Sequence, residues 1–375
     1  MKVGIMSMQR VLNYGSYLQA LSLKNMIEEL GHTVCFVDYK MDAEVSIRNN
    51  KLKVIAVKLK SSSLWINYLC KVKNKILHKG EQKDIYKEAF EKAMRKIGID
   101  EKRKYHVPVD VLVIGSDEVF NCLQRGFDMG FSMELFGKNN RAKHLISYAA
   151  SFGNTTYERL KKYGVDGIVA KYLNRFDRIS VRDNNSAKVV KKLCNIDVES
   201  HFDPVLVGNI EKRISNTIHF PDKPYILVYG YGNRFLQNES KAIQEFAARH
   251  GLKIVALYGE QPFCDVHIVC DPEDVFDYFR SAKYIITDTF HGSIFSIVCH
   301  KPFISFCRTK SNTGLTNSEK LVDMLKKLGL QDRIVQDIND IDNMFSQEIN
   351  YDSVDLIRAQ ERERTLRYLK DNIVL

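Results

Sequence analysis

Residues 2–39, KVGIMSMQRVLNYGSYLQALSLKNMIEELGHTVCFVDY, decide the fold. An apolar run at 2–6 gives way to a polar loop, and Leu18, Leu21, Met26, Ile27 and Leu30 then recur at helical spacing as far as Gly31. A second apolar run, 33–39, closes the unit. Strand, helix and strand at this spacing predict a parallel sheet whose ligand loops lie at the carboxyl ends of its strands.

Working outward, VDVLVIGS (109–116) and HLISYAAS (144–151) read as further buried strands, each ending in small polar residues. After an Asp-Pro-Val turn at 203–205 a second alternating series begins. It comprises strands at 225–231, 252–259, 283–289 and 302–306, and helices near 236–250, 272–281 and from Phe290. The expected architecture is α/β with two Rossmann-like lobes facing a cleft: an N-terminal domain at 1–210 carrying a basic segment at 45–83, and a C-terminal domain at 211–350. A helix at 351–375 returns to the first lobe, with Leu356, Ile357, Leu366 and Leu369 available for packing.

A 45% hydrophobic content with 27% charged residues and only seven prolines excludes a disordered or repeat-built chain. The start lacks the pattern of a secretion signal, and no stretch supplies an uncharged span of membrane length, so a cytoplasmic location is expected. The eight cysteines form no CxxC pair and read as reduced structural thiols rather than as metal ligands. The net charge of +10 is concentrated: Arg48 to Lys83 holds ten Lys or Arg against Glu81 alone. That excludes the evenly basic surface of a nucleic-acid binder. Within it Trp65, Leu69, Val72 and Ile76 recur at helical spacing among lysines. Two readings fit: a helix packed on the first lobe, or one lying on an anionic membrane surface.

Candidate chemistry sits where strands end. Ile286-Thr287-Asp288-Thr289-Phe290-His291-Gly292-Ser293 turns a strand into a helix, placing His291 in the first turn, where free N–H groups favour an anion. The alternative is a capped helix with His291 packed beside it. Arg182, in Ser180-Val181-Arg182-Asp183, offers a planar fork to a carboxylate or phosphate, or else a structural ion pair. Ser116 and Asp117 follow a strand and a flexible glycine, with Asp117 a base, a hydroxyl ligand or a cap. Asn13, Tyr14 and Gly15 end the first loop.

Taken together, Asn-Tyr-Gly-Ser-Tyr-Leu-Gln-Ala (13–20), Gly-Ser-Asp-Glu-Val-Phe-Asn (115–121), Tyr-Ala-Ala-Ser-Phe-Gly (148–153), Ser-Val-Arg-Asp (180–183), Asp-Pro-Val-Leu (203–206) and Thr-Asp-Thr-Phe-His-Gly-Ser-Ile-Phe-Ser (287–296) resemble the polysaccharide pyruvyl transferase family. The resemblance implies a GT-B-like fold, phosphoenolpyruvate as co-substrate with no other cofactor, and a sugar of a bacterial surface glycan, free or lipid-linked, as acceptor. It implies His291 as the active-site histidine and Arg182 as the arginine set against phosphoenolpyruvate. Asp117 is the second catalytic candidate, and Asn13, Tyr14, Gly15, Ser116, Thr289, Phe290, Gly292 and Ser293 are expected to bind substrate. Glu118 and Phe120 depart from the Gln and Trp of many members, and Asn317-Ser318-Glu319-Lys320 departs from a basic Asn-Ser-Arg pattern, which leaves one anion ligand unassigned. A nucleotide-sugar glycosyltransferase and a non-catalytic glycan-binding protein are the competing readings.

Overall fold

The computed structural model describes residues 1–45, 85–125, 129–213, 224–308 and 318–374. The basic stretch expected to pack on the first lobe or on a membrane therefore lies outside the described residues.

Two parallel sheets form the molecule. The first holds β1 (Lys2–Met6), β2 (Thr33–Phe36), β3 (Val111–Asp117), β4 (His144–Ala150), β5 (Ser180–Val181) and β6 (Glu199–Ser200) in the order β2-β1-β3-β4-β5-β6. The second holds β7 (Tyr225–Gly230), β8 (Lys253–Tyr258), β9 (Val266–Ile268), β10 (Tyr284–Thr287) and β11 (Phe303–Ser305) in the order β11-β10-β7-β8-β9. Every residue of β3 and β7 is buried, as strands covered by helices on both faces require. The expected α/β fold with two such lobes is the one observed.

The order of the strands positions the site. In the first sheet β2 lies on one side of β1 and β3 on the other; in the second, β8 and β10 flank β7 in the same way. At such a reversal neighbouring loops diverge and leave a crevice beyond the carboxyl ends of the strands. Each sheet has one, between β1 and β3 and between β7 and β10.

One continuous apolar core joins the halves through Tyr14, Phe90, Phe276, Phe290 and Val354. The Tyr14 hydroxyl donates to the Cys270 carbonyl at 3.0 Å, and Lys96 in the helix over 85–96 meets Glu273 at 2.6 Å. The last helix, Tyr351–Asn372, begins against Lys301 and crosses to the first sheet, where Tyr368 donates to the Ser147 carbonyl at 2.7 Å. Of the four residues expected to pack, Leu369 is buried and Ile357 and Leu366 rest against the core, while Leu356 is 62% exposed; Val354 and Tyr368 are buried with them. Arg358 joins them by spending its guanidinium on the Leu206 carbonyl and Glu211. Among the described residues no helix is long and apolar enough to cross a membrane.

Candidate active site

Between the halves lies a cavity of about 440 Å³. Its first wall carries Asn13 after β1, Glu118 and Asn121 after β3, Asn154 after β4, and Arg159. Its second wall carries Tyr231 and Arg234 after β7, Tyr258 at the end of β8, Asp288 to His291 after β10, and Lys320. Four of these loops are the pairs that flank the two strand-order reversals, and the apolar core shared by the halves sets them face to face.

His291 stands in the first turn of the helix Phe290–Val298, which Thr289 caps by accepting the Gly292 N–H at 2.9 Å. Its Nε2 lies 3.4 Å from Asp203 Oδ2. The same oxygen accepts from Arg182 Nη1 at 2.8 Å, while Arg182 Nη2 lies 3.5 Å from Asp117 Oδ1 and Ser16 donates to Asp117 Oδ2 at 2.9 Å. A buried polar chain thus runs from the first turn of the helix Tyr14–Glu29 to the cavity histidine. Burial pushes the Asp203 carboxyl up, but His291 and Arg182 outweigh it and hold the group at about 2. Asp203 is therefore a carboxylate at any ordinary pH and faces His291 Nε2, a buried atom with no hydrogen-bond partner among the described residues.

The expected site residues divide on this geometry. Asn13, Thr289, Phe290 and His291 line the cavity. Arg182 and Asp117 do not: both are buried behind it, and Arg182 lies 4.7 Å from the centre of the Phe290 ring. The structural ion pair left open for Arg182 exists here, with two carboxylates rather than one. Ser116 is turned inward to Gln19, and Tyr14 to Cys270. Gly15 receives the His291 ring instead of ligand, and Ser293 is tied to the Thr289 carbonyl and to Ser305. The Gly292 N–H, expected for an anion, is already given to Thr289.

Sequence reasoning passed over the other cations. Lys320 reaches into the cavity to pair with Glu118 and lies 5.1 Å from the centre of the Phe290 ring. Burial opposes the charge on Glu118, yet Lys320, then Arg182 and Asn121, hold its carboxyl below the usual range. Arg234 meets Asp288 at 3.0 Å. The signal for Tyr231 and Arg234 was present, since both follow an apolar strand as His291 does. Tyr229, Tyr231 and Tyr258 form an aromatic wall, with Tyr229 and Tyr258 stacked at 5.5 Å. Burial, then Glu118 and Asp117, push the Tyr231 hydroxyl up to about 12, so it remains a neutral donor. The hydroxyl of buried Tyr229 has no hydrogen-bond partner among the described residues.

A search of the curated proteins gave no match. Among solved structures the chain is similar to S. aureus MnaA with UDP, at 11% identity and a TM-score of 0.49 over 96% of this chain and 90% of that one. It is similar also to the UDP-GlcNAc 2-epimerase of Neisseria meningitidis, at 11% and 0.49 over 99% and 100%. The E. coli heptosyltransferase WaaC matches at 12% and 0.39 over 85% and 92%. Likeness at this level carries no argument about activity. The family model for polysaccharide pyruvyl transferases matches residues 13–307, which span both walls of the cavity apart from Lys320, and the chain belongs to that family.

Proposed function

We propose that this protein transfers the enolpyruvyl group of phosphoenolpyruvate to a sugar of a bacterial surface glycan or its lipid-linked precursor, closing a pyruvate ketal and releasing phosphate. The observation that carries this reading is His291, set beside the Asp203 carboxylate and facing a cavity that also holds Lys320, Arg234 and Arg159. Addition to the vinyl group requires a proton on its terminal carbon. His291 is the residue that delivers it. A sugar hydroxyl then bonds to the central carbon and returns its proton to His291; the C–O bond to phosphate breaks, and a second hydroxyl of the same sugar closes the ring as its proton leaves with the phosphate. Lys320 and Arg234 balance charge as phosphate leaves, exchanging their carboxylate partners for it.

Arg182 and Asp117 take positioning roles, because the chain Ser16–Asp117–Arg182–Asp203 ends on His291. The Tyr229 hydroxyl and the aromatic wall suit the hydroxyls and C–H faces of a sugar ring. Incubation with phosphoenolpyruvate and a sugar panel tests the proposal by phosphate release; consumption of a nucleotide sugar with the phosphoenolpyruvate untouched contradicts it. A cytoplasmic enzyme meeting anionic membrane through Arg48–Lys83 completes this reading on sequence charge alone, and sedimentation with anionic vesicles at low salt, against neutral ones, tests that part.

A further inference from the structure

We infer that the outer end of the cavity is a second anion subsite, built by Arg159 and Arg125, for a negatively charged group carried by the sugar acceptor; the inference rests on the transfer reaction proposed above. The other cavity cations are matched within the protein, Lys320 by Glu118 and Arg234 by Asp288. Arg159 is not. It is half-buried, donates to the Asn154 carbonyl at 2.9 Å, and pairs with no carboxylate among the described residues. Arg125 lies 3.6 Å from Glu44, a pair so exposed that solvent screens most of its energy.

Their place is the second observation. Arg159, Arg125, Leu123 and Gln124 line the main cavity and also an adjoining one of about 150 Å³ that does not reach His291. They form the neck between the two. Gln124 gives its amide N–H to Met129 Sδ at 3.4 Å, which leaves Oε1 buried with no donor among the described residues. A buried acceptor oxygen left unmet is costly, and a ligand hydroxyl satisfies it. Two guanidinium groups beside such an oxygen fit a sugar bearing a phosphate or carboxylate close to a hydroxyl. The three-carbon donor is far smaller than the cavity, so donor at His291 and sugar at the neck occupy it together.

The test is calorimetric titration of glucose, glucose 1-phosphate and glucuronate into the full chain carrying His291→Ala, saturated with phosphoenolpyruvate so that no turnover intervenes. At least one anionic probe binds roughly tenfold or more tightly than glucose, the scale of one charge-assisted contact. Adding Arg159→Gln, or separately Arg125→Gln, brings that ratio to within about twofold. Preference for the phosphate assigns a phosphate-linked acceptor, and preference for glucuronate assigns an acidic sugar. No preference, or one that survives both substitutions, overturns the subsite. Failure of phosphoenolpyruvate itself to bind overturns the transfer reaction instead, and the sugar titrations read the subsite without it.

Discussion

Gly15 and His291 compete for one volume: a Cβ on Gly15 would lie 2.1 Å from His291 Nδ1. Gly15 occupies the first turn of a helix on the first half, and His291 the first turn of a helix on the second. The absence of one methyl group is what lets the ring sit against the opposite half.

Gly15→Ala therefore displaces the ring. Inside an uncrowded helix the change would add about 1 kcal/mol of stability, whereas forcing a methyl into a packed site costs about 1–3 kcal/mol. Stability should stay level or fall by up to about 2 kcal/mol. Turnover should fall about 100-fold, the scale of an ångström-level misplacement of a catalytic group. Steady-state kinetics beside thermal melts check this; wild-type turnover would separate Gly15 from His291.

The Asp203 carboxyl carries a pH signature. Its value of about 2 lies below the ordinary 3.8, so the stability it contributes is present above about pH 4 and is lost as the pH falls toward 2. The amount is on the order of 2 kcal/mol. Urea unfolding from pH 5 to pH 2 should show wild type losing that much more stability than Asp203→Asn. Parallel curves would contradict the pairing.

Arg182→Lys keeps the charge but cannot fork between Asp203 and Asp117. Unfolding stability should fall by about 1–3 kcal/mol, and turnover with it, while donor affinity changes less than about threefold. A donor affinity weakened more than about tenfold would return Arg182 to direct contact with phosphoenolpyruvate.

Lys320→Met leaves the half-buried Glu118 without its cation, which costs both stability and donor affinity. Adding Glu118→Gln removes the stranded charge. The double variant should recover the melting temperature but keep a donor KM raised about 10-fold to 100-fold, the scale of a lost charged contact. Recovery of KM as well would make the pair purely structural.

The strands, and the loops at their ends, were legible because buried parallel strands read as apolar runs closed by small polar residues. Strands β6 and β9 were not: Glu199–Ser200 is polar throughout and His267 interrupts Val266–Ile268, whereas the equally short β11 stands on the unbroken apolar pair Phe303-Ile304. The chemistry of the site was legible at His291 and only partly elsewhere. Asp203 read as a turn residue because its partner comes 88 positions later, and nothing local marks a carboxylate that will meet a histidine from another sheet. Lys320 was hidden for the same reason, its partner Glu118 lying 202 positions away. Arg182 looked like a ligand because a strand end is where ligands bind; what turned it inward was the arrival of Asp203 from the loop after β6 and of Asp117 from the end of β3.

Proton delivery by His291 to the vinyl carbon is tested most directly by running the reaction in deuterium oxide with phosphoenolpyruvate and a sugar acceptor, and reading the product by NMR. The account predicts one deuterium in the methyl group of a pyruvate ketal, one phosphate released per ketal, and a rate about 100-fold to 10,000-fold lower for His291→Ala. A product that keeps its vinyl group, or a labelled ketal formed by His291→Ala at the wild-type rate, would contradict it.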